Sequence, residues 1–240
     1  MDELYKHDFE FFLARTDEKA VLIQEISSDI KKYNVQSLLD IGAGNGLLSI
    51  PISKKVQTYL AVEPNENFVR NLKEAGLQVI HAGFPLPIPG EYDMVLLSHI
   101  ISHKQESFEP FLKESWKLVK QDGVLLTITF RGQEDDWTML LKEIGEDLGD
   151  HHRKSFNAMI EFFNNLGEVK TRKVVSHIYA KNTADMIQAL SFVYSNAIPA
   201  KKEKFLLKSQ KIEKMLNSKY KTDSGYAFPF KHFFIYNFKK

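Results

Sequence analysis

The chain has 240 residues, of which 43% are hydrophobic and 12% aromatic, with 32 Lys and Arg against 31 Asp and Glu for a net charge of +1. That length suffices for one well-buried α/β domain with a modest extension, and so even a charge balance argues neither for nor against a nucleic-acid partner. The absence of cysteine removes disulfides and thiolate metal sites; no apolar run approaches a membrane span, and the N-terminal Met-Asp-Glu-Leu-Tyr-Lys lacks the regions of a signal peptide, so a soluble cytoplasmic protein is expected.

Residues 5–33 read as helical. Phe9, Phe12 and Leu13 give one apolar face, Val21, Leu22, Ile26 and Ile30 another, and Thr16-Asp17-Glu18 between them can start the second helix. Leu38, Leu39 and Ile41 fit a buried parallel strand at 37–42, followed by a helix near 45–55 with Asn45 as its candidate N-cap. Then come a strand at 58–63, a helix from about 65 to 75, a strand at 77–81 and a loop through Pro85, Pro87 and Pro89-Gly90. A strand at 92–98 leads to a helix with Phe111, Leu112, Trp116 and Val119. A further strand at 124–130 opens after the Asp122-Gly123 turn. This alternation implies right-handed crossovers and a parallel sheet. Beyond it the rhythm changes to helices at 134–148 and 153–166, a strand at 169–179, helices at 183–195 and 202–217, and an aromatic final strand at 230–238. Roughly 45 residues separate the last two strands, too many for a compact-domain loop, and they read as a helical cap. Residues 201–221 carry eight Lys against two Glu. Such a stripe can meet RNA phosphates, but Phe205, Ile212 and Leu216 at helical spacing make the lysines the wet face of an amphipathic helix.

The segment that carries most chemistry is Leu38-Leu-Asp40-Ile-Gly42-Ala43-Gly44-Asn45-Gly46 with Leu60-Ala-Val-Glu63-Pro64 after it. Gly42 and Gly44 allow a tight turn and close backbone approach to a ligand. Glu63, at the end of the second strand, can accept hydrogen bonds from both hydroxyls of a ribose, as the acid does in dinucleotide folds. A nicotinamide site reads GxGxxG, whereas here Leu47 stands at the third glycine position. Asp40 inside the strand suits a cationic ligand better than a pyrophosphate. S-adenosylmethionine (SAM), with its ammonium and sulfonium and no phosphate, meets both points.

In this acid-plus-GxGxG loop and the acid ending strand two, the chain resembles the class I SAM-dependent methyltransferases. The resemblance implies a Rossmann-like, seven-stranded, mostly parallel sheet with its last strand antiparallel, helices on both faces and a helical cap. It implies SAM as cofactor, S-adenosylhomocysteine as product, and a domain plan of N-terminal helices (1–33), core (34–180), helical insertion (181–222) and final core strand (223–240). Lack of cysteine then excludes methylations that need a cysteine nucleophile. Ligands sit beyond the carboxyl ends of the strands. Candidate cofactor contacts are therefore Asp40, Gly42, Ala43, Gly44, Asn45, Gly46, Glu63, Pro64, Asn65, Phe68, Gly83, Phe84 and Ser98. Phe84 fits equally a flank to the adenine and a loop aromatic packed on the core, and Asn65 and Phe68 fit equally an adenosine contact and a plain helix start. The acid that many family members carry after strand three is missing.

After strand four, where methyltransferases orient the acceptor, stands Ser98-His99-Ile-Ile-Ser102-His103, in place of the Asn/Asp-Pro-Pro-aromatic run of adenine and glutamine methyltransferases. Imidazole can accept a proton or orient an acceptor, so His99 and His103 are candidate catalytic residues. As a metal pair they lack a third ligand with suitable spacing, and no metal is expected. The overall plan is similar to small-molecule methyltransferases of the histamine N-methyltransferase kind. The similarity lies in Phe11-Phe-Leu-Ala-Arg-Thr16-Asp17-Glu18, Asp136-Trp137 with Leu140-Leu141, Phe162-Phe163-Asn-Asn-Leu-Gly167, the two-helix insertion and the aromatic last strand. It maps that family's amine-facing acid to Asp17, whose plain alternative is helix capping. It departs at His99 and Phe230, where that family has amides, which speaks against histamine itself. The expectation is methyl transfer to a small-molecule acceptor, at nitrogen or oxygen, by a monomer or homodimer. A tRNA or rRNA methyltransferase using the Lys-rich insertion and a non-catalytic SAM-binding protein are the alternatives.

Overall fold

The computed structural model describes residues 3–101, 105–132, 135–146, 151–197 and 202–240. The elements in order are α1 (Glu3–Leu13), α2 (Glu18–Lys32), β1 (Ser37–Ile41), α3 (Ser49–Ser53), β2 (Thr58–Glu63), α4 (Glu66–Glu74), β3 (Gln78–His81), β4 (Tyr92–Ser98), α5 (Gln105–Lys117), β5 (Val119–Thr129), α6 (Asp136–Glu143), α7 (His151–Asn164), β6 (Glu168–Ala180), α8 (Thr183–Ala197), α9 (Lys202–Leu206), α10 (Ser209–Lys219), β7 (Lys221–Thr222) and β8 (Gly225–Phe238). The sheet runs β3-β2-β1-β4-β5-β8-β6, with the short β7 paired to β8. β1, β2, β3, β4 and β5 pair in parallel, and β8 enters antiparallel to β5. The fold is thus the expected α/β sheet with an antiparallel late strand.

The chain separates into two compact units, one of residues 19–132, 150–174 and 232–240, the other of residues 1–18, 133–149 and 175–231. In the first, side chains alternate between two apolar layers, the period-two signature of a sheet buried on both faces. Leu38, Met94, Leu96, Val124, Leu126 and Ile128 join α2's Leu22, Ile26 and Ile30 on one face. Leu39, Val95, Leu97 and Leu125 join Phe108, Leu112, Phe156 and Phe163 on the other. Each such side chain, fully buried, contributes about 1.5–3 kcal/mol. Arg172 ties α2 to the sheet by pairing with Glu25 and with Asp29, to which the Tyr236 hydroxyl also donates at 2.6 Å.

The second unit has its own core, built from Leu140, Leu141 and Ile144 of the α6 segment, Met186, Leu190 and Tyr194 of α8, and Phe205, Ile212, Met215, Leu216 and Phe228. Phe205, Ile212 and Leu216 are fully buried while Lys211, Lys214 and Lys219 are exposed, the amphipathic arrangement expected from their spacing.

Four local expectations are corrected. The helix after the glycine loop is only α3, and Asn45 does not cap it: its side chain accepts from Leu47 N at 3.2 Å, and Leu48 stands at the cap without a side-chain bond. Three successive positive-φ glycines, at 79°, 61° and 88°, hold the chain out of right-handed helix until that point. β5 begins at Val119 rather than 124, with Asp122 (φ 62°) and a register shift opposite Tyr92–Met94 taking up the turn as an irregularity inside the strand. Among the described residues the inserted region holds three helices, because the chain breaks at 207–208. Capping at the start of α2 falls to Thr16, whose Oγ1 accepts from Glu18 N at 3.2 Å.

Candidate active site

β1 lies between β2 and β4, and Ile41 is in register with Val62 and with Leu97. Three strand ends therefore open side by side at the point where the strand order reverses, the place where open α/β sheets bind ligands. The loop leaving β1 is fastened there by Gly42 N to Val62 O at 2.8 Å. Glu63, 5% exposed, takes Gly44 N on Oε2 and Asn65 N on Oε1, each at 2.8 Å. A carboxylate has about four lone-pair directions, so two backbone bonds fix its orientation and leave acceptor capacity for a ligand diol.

The glycines of the loop differ. A Cβ on Gly42 would stand 2.6 Å from Ile100 Cγ2, and one on Gly46 2.7 Å from Ile50 Cδ1, whereas one on Gly44 would meet nothing within 4 Å. Gly42 and Gly46 are packing glycines; Gly44 borders open space. Ala43 is buried. Asp40 lies beneath the loop, 2% exposed, with Oδ2 accepting from Ser49 Oγ at 2.6 Å and Tyr59 Oη at 2.5 Å. Burial pushes its carboxyl up, the two hydroxyls oppose this, and the charge of Glu63 adds to the rise. In this structure Asp40 binds β1, β2 and α3 together.

Pro64 is exposed and its carbonyl lies 3.1 Å from His81 Nε2. The Asn65 side chain caps α4, accepting from Asn67 N and Phe68 N, and Phe68 is half-buried. Gly83 has open space at its Cβ position; Phe84 packs edge-on to Phe111 with centroids 4.8 Å apart. Ser98 ends β4, half-buried. His103 lies outside the described residues. Asp17 belongs to the other unit, where its carboxylate accepts from His177 N at 2.6 Å and Tyr179 Oη at 3.0 Å.

His99 follows β4 directly. Its N–H bonds Ile128 O at 2.9 Å, its φ is 56°, and its ring stacks on Phe130 with centroids 4.5 Å apart. Its Nε2 is 3.0 Å from Nδ1 of His232, a fully buried residue of β8. No feature of the sequence marks His232, since its place depends on the register of an inserted antiparallel strand, in which Phe233 pairs with Thr129. Among the described residues no group of three His, Asp or Glu is arranged to hold a metal ion, and no helix is long and apolar enough to cross a membrane.

Residues 39–127 match the family described as "Methyltransferase domain". The chain is similar to the Ubiquinone biosynthesis O-methyltransferase of Caulobacter vibrioides, 30% identical over 105 residues that cover 39% of this chain and 40% of that protein. It is likewise similar to the protein of that name from Pelagibacter ubique, 28% identical over 110 residues covering 43% of this chain and 45% of the other. The matches thus span less than half the length of these curated relatives. Among solved structures, the YcgJ protein of Bacillus subtilis superposes with a TM-score of 0.61 at 18% identity, covering 91% of this chain and 98% of that one. Precorrin-6y C5,15-methyltransferase of Geobacter metallireducens does so with a TM-score of 0.51 at 15% identity, covering 92% and 87%. Residues 39–127 thus match a methyltransferase domain, and this is the part of the chain that resembles the class I SAM-dependent methyltransferases. The cofactor of that class is SAM, and the residues fit it: Gly44 borders open space and Glu63 is held buried with acceptor capacity to spare.

Proposed function

We propose that this protein methylates a hydroxyl group of a small molecule, with the adenosine of SAM held by Gly44 and Glu63 and with His99 as the base. The observation that carries the reading is the position of His99. It follows the β4 end, and its neighbour Ile100 packs on Gly42 of the cofactor loop. When bound, SAM supplies a methyl carbon activated by a sulfonium: an electron pair of the acceptor oxygen forms the new bond as the carbon–sulfur pair returns to sulfur. The hydroxyl proton leaves to the imidazole of His99, a step worth about 10²–10⁴ in rate. Asp40 acts beneath the loop, fixing its shape through Ser49 and Tyr59. Hydroxyl rather than amine is favoured because Asp17, the candidate for holding an amine, already has both carboxylate oxygens engaged by β6. The names of the curated relatives, O-methyltransferases matched over two fifths of their length, support the same choice.

The test is titration calorimetry with SAM and S-adenosylhomocysteine, followed by transfer from methyl-labelled SAM onto a panel of small phenols, catechols and amines, with bulk tRNA as the contrasting acceptor. Product on a hydroxyl, lost in His99→Ala, is the expected result. Tighter binding of NAD than of SAM, label on RNA alone, or tight SAM binding with no turnover on any acceptor would each overturn it.

A further inference from the structure

The contact between His99 and His232 has a chemical consequence beyond placing one imidazole. We infer that His232 is a positioning residue for His99, holding it in the Nε2–H tautomer and sharing the proton it takes up; this rests on the reading of His99 as the base. Only one hydrogen fits between His99 Nε2 and His232 Nδ1 at 3.0 Å, so one nitrogen donates and the other accepts. If His99 Nε2–H donates, its Nδ1 keeps a lone pair and can take a proton while the bond to His232 persists, now charge-assisted. If His232 donates instead, His99 carries its hydrogen on Nδ1 and must lose the mutual bond to be protonated at Nε2. Only the first arrangement makes a base of His99. His232 is fully buried and so acts through its neighbour. Nδ1 of His99, the nitrogen left to take the acceptor's proton, is itself buried.

The surroundings hold this geometry. Phe130 stacks on His99 with planes 26° apart and lies 5.3 Å, centroid to centroid, from His232, which fixes both ring planes. His99 is kept at a left-handed φ of 56°, a conformation that non-glycine residues hold only where the surroundings impose it. Among the described residues, the charged side chains next to the two rings in sequence are Arg131, lying over the rings of Phe156 and Phe233, and Lys231, paired with Asp136. The pair therefore accepts one proton readily and a second only against two N–H groups facing each other and two like charges in contact, so it titrates as a unit.

The test is nitrogen-15 NMR of the histidine rings in the full chain, with His99→Asn for assignment. Wild-type protein should show His99 as the Nε2–H tautomer and a single proton gained by the pair between about pH 8 and pH 5. His232→Phe should leave His99 as a tautomer mixture that titrates alone. His232→Asn, which can place an acceptor oxygen where Nδ1 was, should restore the tautomer. On the acceptor found in the panel above, His232→Phe should lower kcat about tenfold or more and move the pH profile, with KM for SAM unchanged and partial rescue in His232→Asn. Two independent protonations in the wild type, or an unchanged tautomer in His232→Phe, would overturn the inference, as would unaltered kcat and pH profile. A protein that failed to bind SAM would defeat the methyltransferase reading and leave the ring measurements to decide the pair.

Discussion

Two glycines separated by one residue have opposite roles. At Gly42 an added methyl meets Ile100 at 2.6 Å, and crowding of that kind costs about 1–3 kcal/mol on top of a left-handed backbone. Gly42→Ala should therefore lower the melting temperature. Gly44→Val meets no neighbour but is strained at a φ of 61°, so it should lower the melting temperature and in addition weaken SAM binding in calorimetry of the folded variant; unchanged affinity would remove Gly44 from the cofactor cradle. Glu63→Ala should cost about 1–3 kcal/mol of SAM affinity, measured the same way. The acid–glycine–acid pattern was legible in the sequence because its parts lie within 24 consecutive residues, 40–63, of a strand–turn–helix–strand unit. Asn45 was misread as a cap because consecutive left-handed glycines delay the helix. His232 was illegible because it is 133 residues from its partner, a distance that only the strand register closes.

Among the elements, the sheet strands were the most legible part, since alternating and continuous apolar runs name their own period. Their edges were less so: β5 runs through an expected turn because pairing with β4 outweighs the Asp-Gly signal. At the opposite end of the sheet from the site, Asp93 of β4 accepts from Ser37 N at 2.7 Å, Gln36 N at 2.9 Å and Lys120 Nζ at 2.9 Å, tying β1, β4 and β5. Burial raises its pKa, but Lys120 and the Ser37 and Gln36 amides outweigh this and the carboxyl ends below its usual value. A depressed folded-state pKa means stability that is present above the unfolded value near pH 4 and is lost as pH falls through the folded one. Asp93→Asn should thus destabilise the protein by about 1–2 kcal/mol at neutral pH, less after discounting for its partial exposure. The deficit should shrink in acid. Denaturant melts at neutral and acid pH check the sign, and a deficit that grows in acid would contradict it.

For the whole molecule, the expected plan placed both N-terminal helices together, and their separate packing could not be seen in periodicity, which reports an apolar face but not its partner. Phe9 and Phe12 of α1 contact Phe192 of α8, whereas Leu22, Ile26 and Ile30 of α2 belong to the sheet's core. Deleting residues 1–30 should therefore abolish the cooperative melt, since three fully buried side chains at about 1.5–3 kcal/mol each approach the whole stability of a domain. Deleting residues 1–13 should leave a folded protein that still binds SAM. Of the five unit boundaries, those at 18/19, 174/175 and 231/232 fall inside α2, β6 and β8, and those at 132/133 and 149/150 fall between elements. Each of those three elements therefore supplies residues to both units. Because formation of a helix is cooperative along its length, calorimetry should record one heat-absorption peak; two resolved peaks would show that the units unfold separately.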